Sequence, residues 1–149
     1  MAPPRLRSLD DLHVGDRYEI GRLTLSLEEI RDFASRYDPQ PFHLDEEAAR
    51  SSVFGTVVAA GLHTLSASFG LLMASALLRD ISLAGSAMDV RWPAALRPGE
   101  EVLVTVEVME VKTSRARRDR GSARLRYVAT RTADGVVVLD ATGLHHLRR

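Results

Sequence analysis

The chain has 149 residues, with 20 Lys and Arg against 20 Asp and Glu, no cysteine, and a formal net charge of zero. That length suits one domain able to bury a core, and the balanced charge sets up no global field for nucleic acid or an anionic membrane surface. Without cysteine there is no disulfide scaffold, no thiolate nucleophile and no Cys-ligated metal, a composition that fits a reducing, cytoplasmic location.

In chain order, residues 1–13 are rich in proline and charge, lack the apolar stretch of a signal peptide, and read as a loose N-terminal arm on a single domain spanning 1–149. Val14-Gly15-Asp16 is a turn. Arg17 to Leu25 alternates enough, through Tyr18, Ile20, Leu23 and Leu25, for a first strand. Ser26 to Glu29 is a capping box, and Ile30, Phe33, Ala34 and Tyr37 follow at helical spacing, which predicts a short amphipathic helix over 27–36. It has to stop before Pro39, because a residue preceding proline is pushed out of the helical region. Asp38 to Asp45 is then a polar loop stiffened by Pro39 and Pro41, and Asp45 caps a second short helix, Glu46 to Arg50.

After a loop at Ser51 to Gly55 comes a nearly uncharged run that predicts one long helix, roughly Val57 to Leu78, apolar on all sides. Gly61, His63, Thr64, Ser66, Ser68, Gly70 and Ser75 make it too polar for a membrane span, so it reads as a core helix. From Asp80 the pattern is that of strands. Ala84 to Arg91 leads to Trp92-Pro93, where proline marks a bend or an edge. Arg97-Pro98-Gly99-Glu100 is a turn, and Val102, Val104, Val106 and Val108 alternate through a clear strand. Thr113 to Ser122 is a charged connection. Arg124 to Thr130 is the next strand, Ala133-Asp134-Gly135 a hairpin turn, and Val136 to Leu147 the last strand.

A helix apolar on every face needs cover on every face. An α+β fold supplies it: an antiparallel sheet of about five strands curled around one long central helix. Such a sheet leaves an edge strand unpaired, so dimerisation is expected.

Asp38 and His43 put a carboxylate and an imidazole on one rigid segment, close in sequence to Gly61 on the apolar helix. An acid, a base and a backbone N–H near the positive end of a helix make a plausible active-site layout. Plainer roles exist for each. Asp38 before proline can merely open a turn, Gly61 and Ser66 can serve helix packing, and Asp45 is an N-cap. His63 reads as a core or pocket histidine. A metal is rejected: His43 with Asp45, or His145 with His146, lacks a third ligand, and successive strand residues point to opposite faces. The loop holding Arg115, Arg117, Arg118 and Arg120 reads as a solvated hairpin, although guanidinium groups pair well with phosphate.

The segment Asp38-Pro39-Gln40-Pro41-Phe42-His43-Leu44-Asp45, followed by Phe54-Gly55-Thr56-Val57-Val58-Ala59-Ala60-Gly61-Leu62-His63-Thr64, resembles the hydratase motif of the MaoC-like dehydratase family, which is similar to the (R)-specific 2-enoyl-CoA hydratases. The resemblance runs through nearly the whole chain and implies a hotdog fold, a sheet wrapped around one long helix. It implies reversible hydration of an enoyl thioester, CoA-linked, with no cofactor and no metal. Asp38 and His43 match the acid/base pair that holds a water, Gly61 the glycine whose N–H faces the thioester oxygen, and Ser66 a serine supporting the Asp. Gln40, Phe42, Ala60, Leu62 and His63, with Arg117 and Arg118 toward the carrier phosphates, are the implied substrate-binding residues. The partners implied are an acyl-CoA-type small molecule and a second copy, as a homodimer or dimer of dimers, with no nucleic acid and no membrane. Two positions depart from the family pattern: Gln40 stands where Asn is usual, and Ala60 where His usually precedes the glycine. Two other readings stay open: a hotdog acyl-CoA thioesterase and a non-catalytic acyl-thioester-binding subunit. Phe33, Phe42, Phe54, Leu72 and Met73 are expected to set the depth of the acyl pocket.

Overall fold

The alternating valines of the sequence's clearest strand all point one way. In the computed structural model, which describes residues 3–149, Val102, Val104, Val106 and Val108 are buried while their neighbours face outward. They lie on β3 (Glu101–Thr113), whose neighbours are β4 (Arg120–Arg131) and β1 (Arg17–Thr24). With β5 (Val137–Arg148) and β2 (Ser82–Arg91) these make a five-stranded antiparallel sheet in the order β1-β3-β4-β5-β2. Ala123, Leu125, Tyr127 and Ala129 of β4, and Leu139, Ala141, His145 and Leu147 of β5, continue the buried face. The opposite face carries cross-strand ion pairs such as Arg126–Asp140 and Arg17–Glu107, as expected where one side of a sheet is solvated. All of β2 except Val90 is exposed, and it pairs with β5 alone.

Between β1 and β2 the chain forms α1 (Leu27–Tyr37), α2 (Pro41–Leu44), α3 (Glu46–Arg50) and α4 (Gly61–Ala74). Ser26 caps α1 by accepting from the Glu29 N–H at 3.1 Å, and Asp45 caps α3 through the Glu47 and Ala48 N–H groups. Three expectations need correction. The long helix is α4 alone, Gly61–Ala74 rather than Val57 to Leu78. Residues 57–60 are held extended instead, because the Val58 and Ala59 N–H groups donate to the Phe42 and Leu96 carbonyls. At the other end Ser75 closes the helix, its hydroxyl donating to the Leu72 carbonyl at 2.6 Å. Nor is α4 covered all round: Leu62, Ser66 and Gly70 form an exposed stripe at fourfold spacing.

The third correction concerns the N-terminal arm. Met1 and Ala2 lie outside the described residues, but the segment after them is not loose. Leu6, Leu9 and Leu12 are buried, and a short 3₁₀ turn at Leu9–Asp11 is capped by Ser8. Leu9 occupies the space left by the missing side chain of Gly121 on β4. Arg149 clamps the turn from the far end of the chain, its Nε 3.0 Å from the Asp10 carboxylate.

Candidate active site

Pro39 and Pro41 shape the segment that carries the acid and the base. The Asp38 N–H completes the last turn of α1, and Asp38 then departs to φ −155°, ψ 71°, as the following proline demands. Pro41 sits at the first position of α2, where its missing N–H costs nothing. That single helical turn, read from the sequence as loop, aims His43 inward, leaving it 4% exposed. The Arg31 guanidinium donates to the Leu44 carbonyl and ties α2 to α1.

The two catalytic candidates meet. His43 Nε2 lies 3.4 Å from Asp38 Oδ2. On the far side of the ring, Nδ1 is 2.6 Å from the Val58 carbonyl oxygen. A carbonyl can only accept, so the proton of the neutral imidazole sits on Nδ1, and Nε2 presents a lone pair toward Asp38. The Gln40 side chain donates to Asp38 Oδ1 at 2.7 Å, which turns Oδ2 toward the imidazole. Phe42 meets His43 edge-on and also packs against Phe54. Two acceptors facing one point can both receive a hydrogen from one water molecule.

Gly61 opens α4 beside this pair. The His63 and Thr64 N–H groups both donate to the Ala60 carbonyl, whereas those of Gly61 and Leu62 find no acceptor among the described residues. They are unclaimed donors at the positive end of a helix of 14 residues. Trp92 lies directly on Gly61: its Nε1 donates to the Gly61 carbonyl at 2.8 Å, and a Cβ on Gly61 would stand 2.6 Å from Trp92 Cε2. The glycine is therefore required by an indole packed against it.

These groups line a cleft of about 620 Å³, together with Gln40, Phe42, Leu62 and Thr64. Phe54 lines it too, whereas Phe33 stacks on His63 (4.4 Å, 4°), Leu72 is buried in the core and Met73 lines a separate hollow. Other expected residues fall outside the cleft. Ala60 is fully buried behind the helix start. His63 points away, its Nδ1 unpartnered, with burial lowering its pKa against an opposing pull from Glu29. Ser66 belongs to the exposed stripe of α4, so the part of supporting Asp38 falls to Gln40. Arg117 and Arg118 lie in the β3–β4 turn, at the opposite end of the sheet from Leu96 and Val138, which flank the cleft. Within one chain they do not reach it.

Sequence reasoning missed Trp92 and the Val58 carbonyl. The single tryptophan of the chain, set beside Pro93, was a legible signal but read only as a bend. A backbone carbonyl offers none.

Residues 13–131 match the family model described as the MaoC like domain. The chain belongs to the MaoC-like family. A MaoC-like dehydratase from Rhodospirillum rubrum is 37% identical, with a TM-score of 0.88 over 96% of this chain and 97% of that one. The Bacillus subtilis (strain 168) protein YdeM is 32% identical over 108 residues, covering 72% of this chain and 77% of the relative. The (R)-hydratase from A. caviae involved in PHA biosynthesis shares the fold at 19% identity, with a TM-score of 0.70 over 90% of this chain and 96% of that one. The architecture is the hotdog, the name given to the repeated unit of another structural neighbour. A MaoC-like hotdog thus places its unpaired helix N-terminus and its Asp38–His43 pair on one cleft.

Proposed function

We propose that this MaoC-like protein catalyses reversible hydration of a 2-enoyl thioester to the 3-hydroxyacyl thioester, with CoA as the carrier. The observation that carries this reading is the 3.4 Å approach of His43 Nε2 to Asp38 Oδ2, with the imidazole proton committed to Val58 on the other side. A water donating to both groups is held by two bases at once. One of them takes its proton as the hydroxyl adds to the β-carbon, and that proton is then delivered to the α-carbon, so the net change is addition of H and OH across the double bond. Between those events negative charge gathers on the thioester oxygen. The free Gly61 and Leu62 N–H groups are suited to stabilise it, in a cleft whose apolar walls strengthen such interactions. No electrons are transferred, so the reaction calls for no redox cofactor.

The same reading includes a homodimer, supported by the unpaired, exposed β2 edge, and a cytoplasmic location, in keeping with a chain free of cysteine. No helix among the described residues is long and apolar enough to cross a membrane.

The test is hydration of crotonyl-CoA and of longer 2-enoyl-CoAs, followed by loss of the enoyl thioester absorbance. Asp38→Asn and His43→Ala are each expected to lower kcat about a hundredfold to ten-thousandfold, the usual worth of a positioned acid or base. Full turnover in both variants would sink the assignment. Release of free CoA without hydration would mark a thioesterase, and binding without turnover an acyl-thioester-binding subunit.

A further inference from the structure

The start of α4 lacks the device that usually closes a helix N-terminus. Ala60 stands at the N-cap and makes no side-chain hydrogen bond, and the first turn holds no acidic residue. A serine, threonine or aspartate there would take up the N–H of Leu62 or His63. With alanine, the Leu62 N–H stays free beside the cleft, and the turn has to be held by other means.

Its hold comes from outside the helix. The Val58 carbonyl meets His43 Nδ1, and the Ala59 N–H donates to the Leu96 carbonyl at 2.8 Å. Three residues beyond Val58, the Gly61 carbonyl accepts from Trp92 Nε1, also at 2.8 Å. Trp92 and Leu96 belong to one loop, residues 92–96, which follows β2. That loop is braced in turn, for the Arg131 guanidinium donates to the Ala95 carbonyl at 3.2 Å and pairs with Glu100 and Asp134. The short segment from the imidazole's anchor to the helix start is thus pinned at both ends. Trp92 reaches the free N–H through a single peptide plane. The Gly61–Leu62 peptide is trans, so its C=O and N–H lie antiparallel in one rigid unit. Indole nitrogen is a donor only, so the carbonyl must be the acceptor. Holding that carbonyl fixes the direction of the Leu62 N–H on the opposite side, and the added hydrogen bond polarises the amide further. The indole ring is a second restraint, since it fills the space where a Cβ of Gly61 would stand.

We propose that Trp92 is a positioning residue, which through the Gly61 carbonyl aims the Leu62 N–H at the thioester oxygen and replaces the missing cap of α4. This inference deepens the hydratase reading and rests on it. Its effect passes through the main chain and is felt when charge gathers on the oxygen. Loss of the indole N–H therefore lowers kcat, whereas loss of a plain substrate contact would raise KM at unchanged kcat.

Trp92 is the only tryptophan of the chain, so an analogue incorporated in place of tryptophan changes this position alone. Benzothienylalanine, with sulfur in place of the ring N–H, keeps the shape and removes the donor. With crotonyl-CoA, kcat is expected to fall about tenfold in the sulfur analogue while KM stays within about twofold. Trp92→Phe, which loses the donor and part of the ring contact, should fall at least as far. Far-UV circular dichroism and thermal melting check that each protein folds. Unchanged kcat in the sulfur analogue, or a raised KM at full kcat, overturns the inference while leaving the Asp38–His43 assignment standing. If the wild type hydrates no enoyl-CoA, the hydratase reading has failed, and the donor is judged by binding instead. Calorimetric dissociation constants are then compared for butyryl-CoA and its S-butyl thioether, which lacks the carbonyl. The wild type is expected to favour the thioester about tenfold, and the sulfur analogue about threefold or less. No preference in the wild type, or the same preference in both proteins, overturns the inference on this arm.

Discussion

His145 and His146 are adjacent in sequence, yet the first faces the core and the second reaches Ser86 on the outer side of β2, its Nε2 2.7 Å from the serine hydroxyl. Their different surroundings have a consequence for acid stability. A histidine in the unfolded chain titrates near pH 6.5, whereas buried His145 titrates at about 4. Between those values the unfolded chain binds a proton that the folded one refuses. The stabilisation is therefore complete above about pH 6.5 and is lost as pH falls toward 4, by up to about 3 kcal/mol. Buried His63 pushes in the same direction. We expect urea-unfolding free energies to fall between pH 7 and 4.5 in the wild type and to fall less steeply in His145→Gln. Parallel pH profiles for the two proteins would remove this role. Gly61 makes a different point at the same scale. The sequence offered it helix packing or an N–H facing a substrate oxygen, while the structure shows Trp92 occupying the side-chain position. No pattern in one dimension could distinguish an indole from a ligand.

At the scale of elements, the N-terminal turn is the best test of what was misread. Leu6, Leu9 and Leu12 recur at every third position, but the prolines and charges around them hid an apolar face of a single turn. Leu9 is fully buried against Gly121, so Leu9→Ala is expected to destabilise the protein by about 2–4 kcal/mol, read from the denaturant midpoint. A change below about 0.5 kcal/mol would show the segment to be dispensable after all. Where local chemistry decides, the sequence was readable: the Ser26 and Asp45 caps, the β3 alternation and the Gly135 turn, with φ 73°, all stand where their residues put them. Where distant backbone decides, it was not. Residues 57–60 carry the same apolar composition as α4, and only the Phe42 and Leu96 carbonyls, supplied by other parts of the chain, draw them out of the helix. The site divides likewise. Asp38, His43 and Gly61 could be named as candidates from their layout and the resemblance to the hydratase motif, whereas Gln40 as the carboxylate's hydrogen-bond partner and Ser66 as a solvent-facing residue required the three-dimensional arrangement.

At the scale of the molecule, the two sheet edges are unequal. β1 is the shorter, with its pairing shifted once, between Glu19 and Gly21, whereas β2 is longer, with shifts at Ser82/Ala84 and Gly85/Ala87, and shows Leu83 and Met88 to solvent. A long apolar edge invites another strand, and charge on it is the usual deterrent. The wild type is expected to elute at twice the chain mass in light scattering coupled to size exclusion, and Leu83→Lys with Met88→Lys to weaken the dimer at least tenfold. A monomeric wild type at micromolar concentration would contradict the proposed dimer. The strand order has a further consequence, in time rather than in space. β3, β4 and β5 are consecutive in the chain and can pair through short connections, but β1, α4 and β2 are all synthesised before the strands that cover them. The nascent chain therefore carries an apolar helix with only β1 and α1 to pack against until the last hairpin emerges, a stage at which exposed surface is open to chaperones and to aggregation. Because the cleft is lined by Val138 of β5 as well as Gly61 of α4, the candidate site is completed only when the final strand docks.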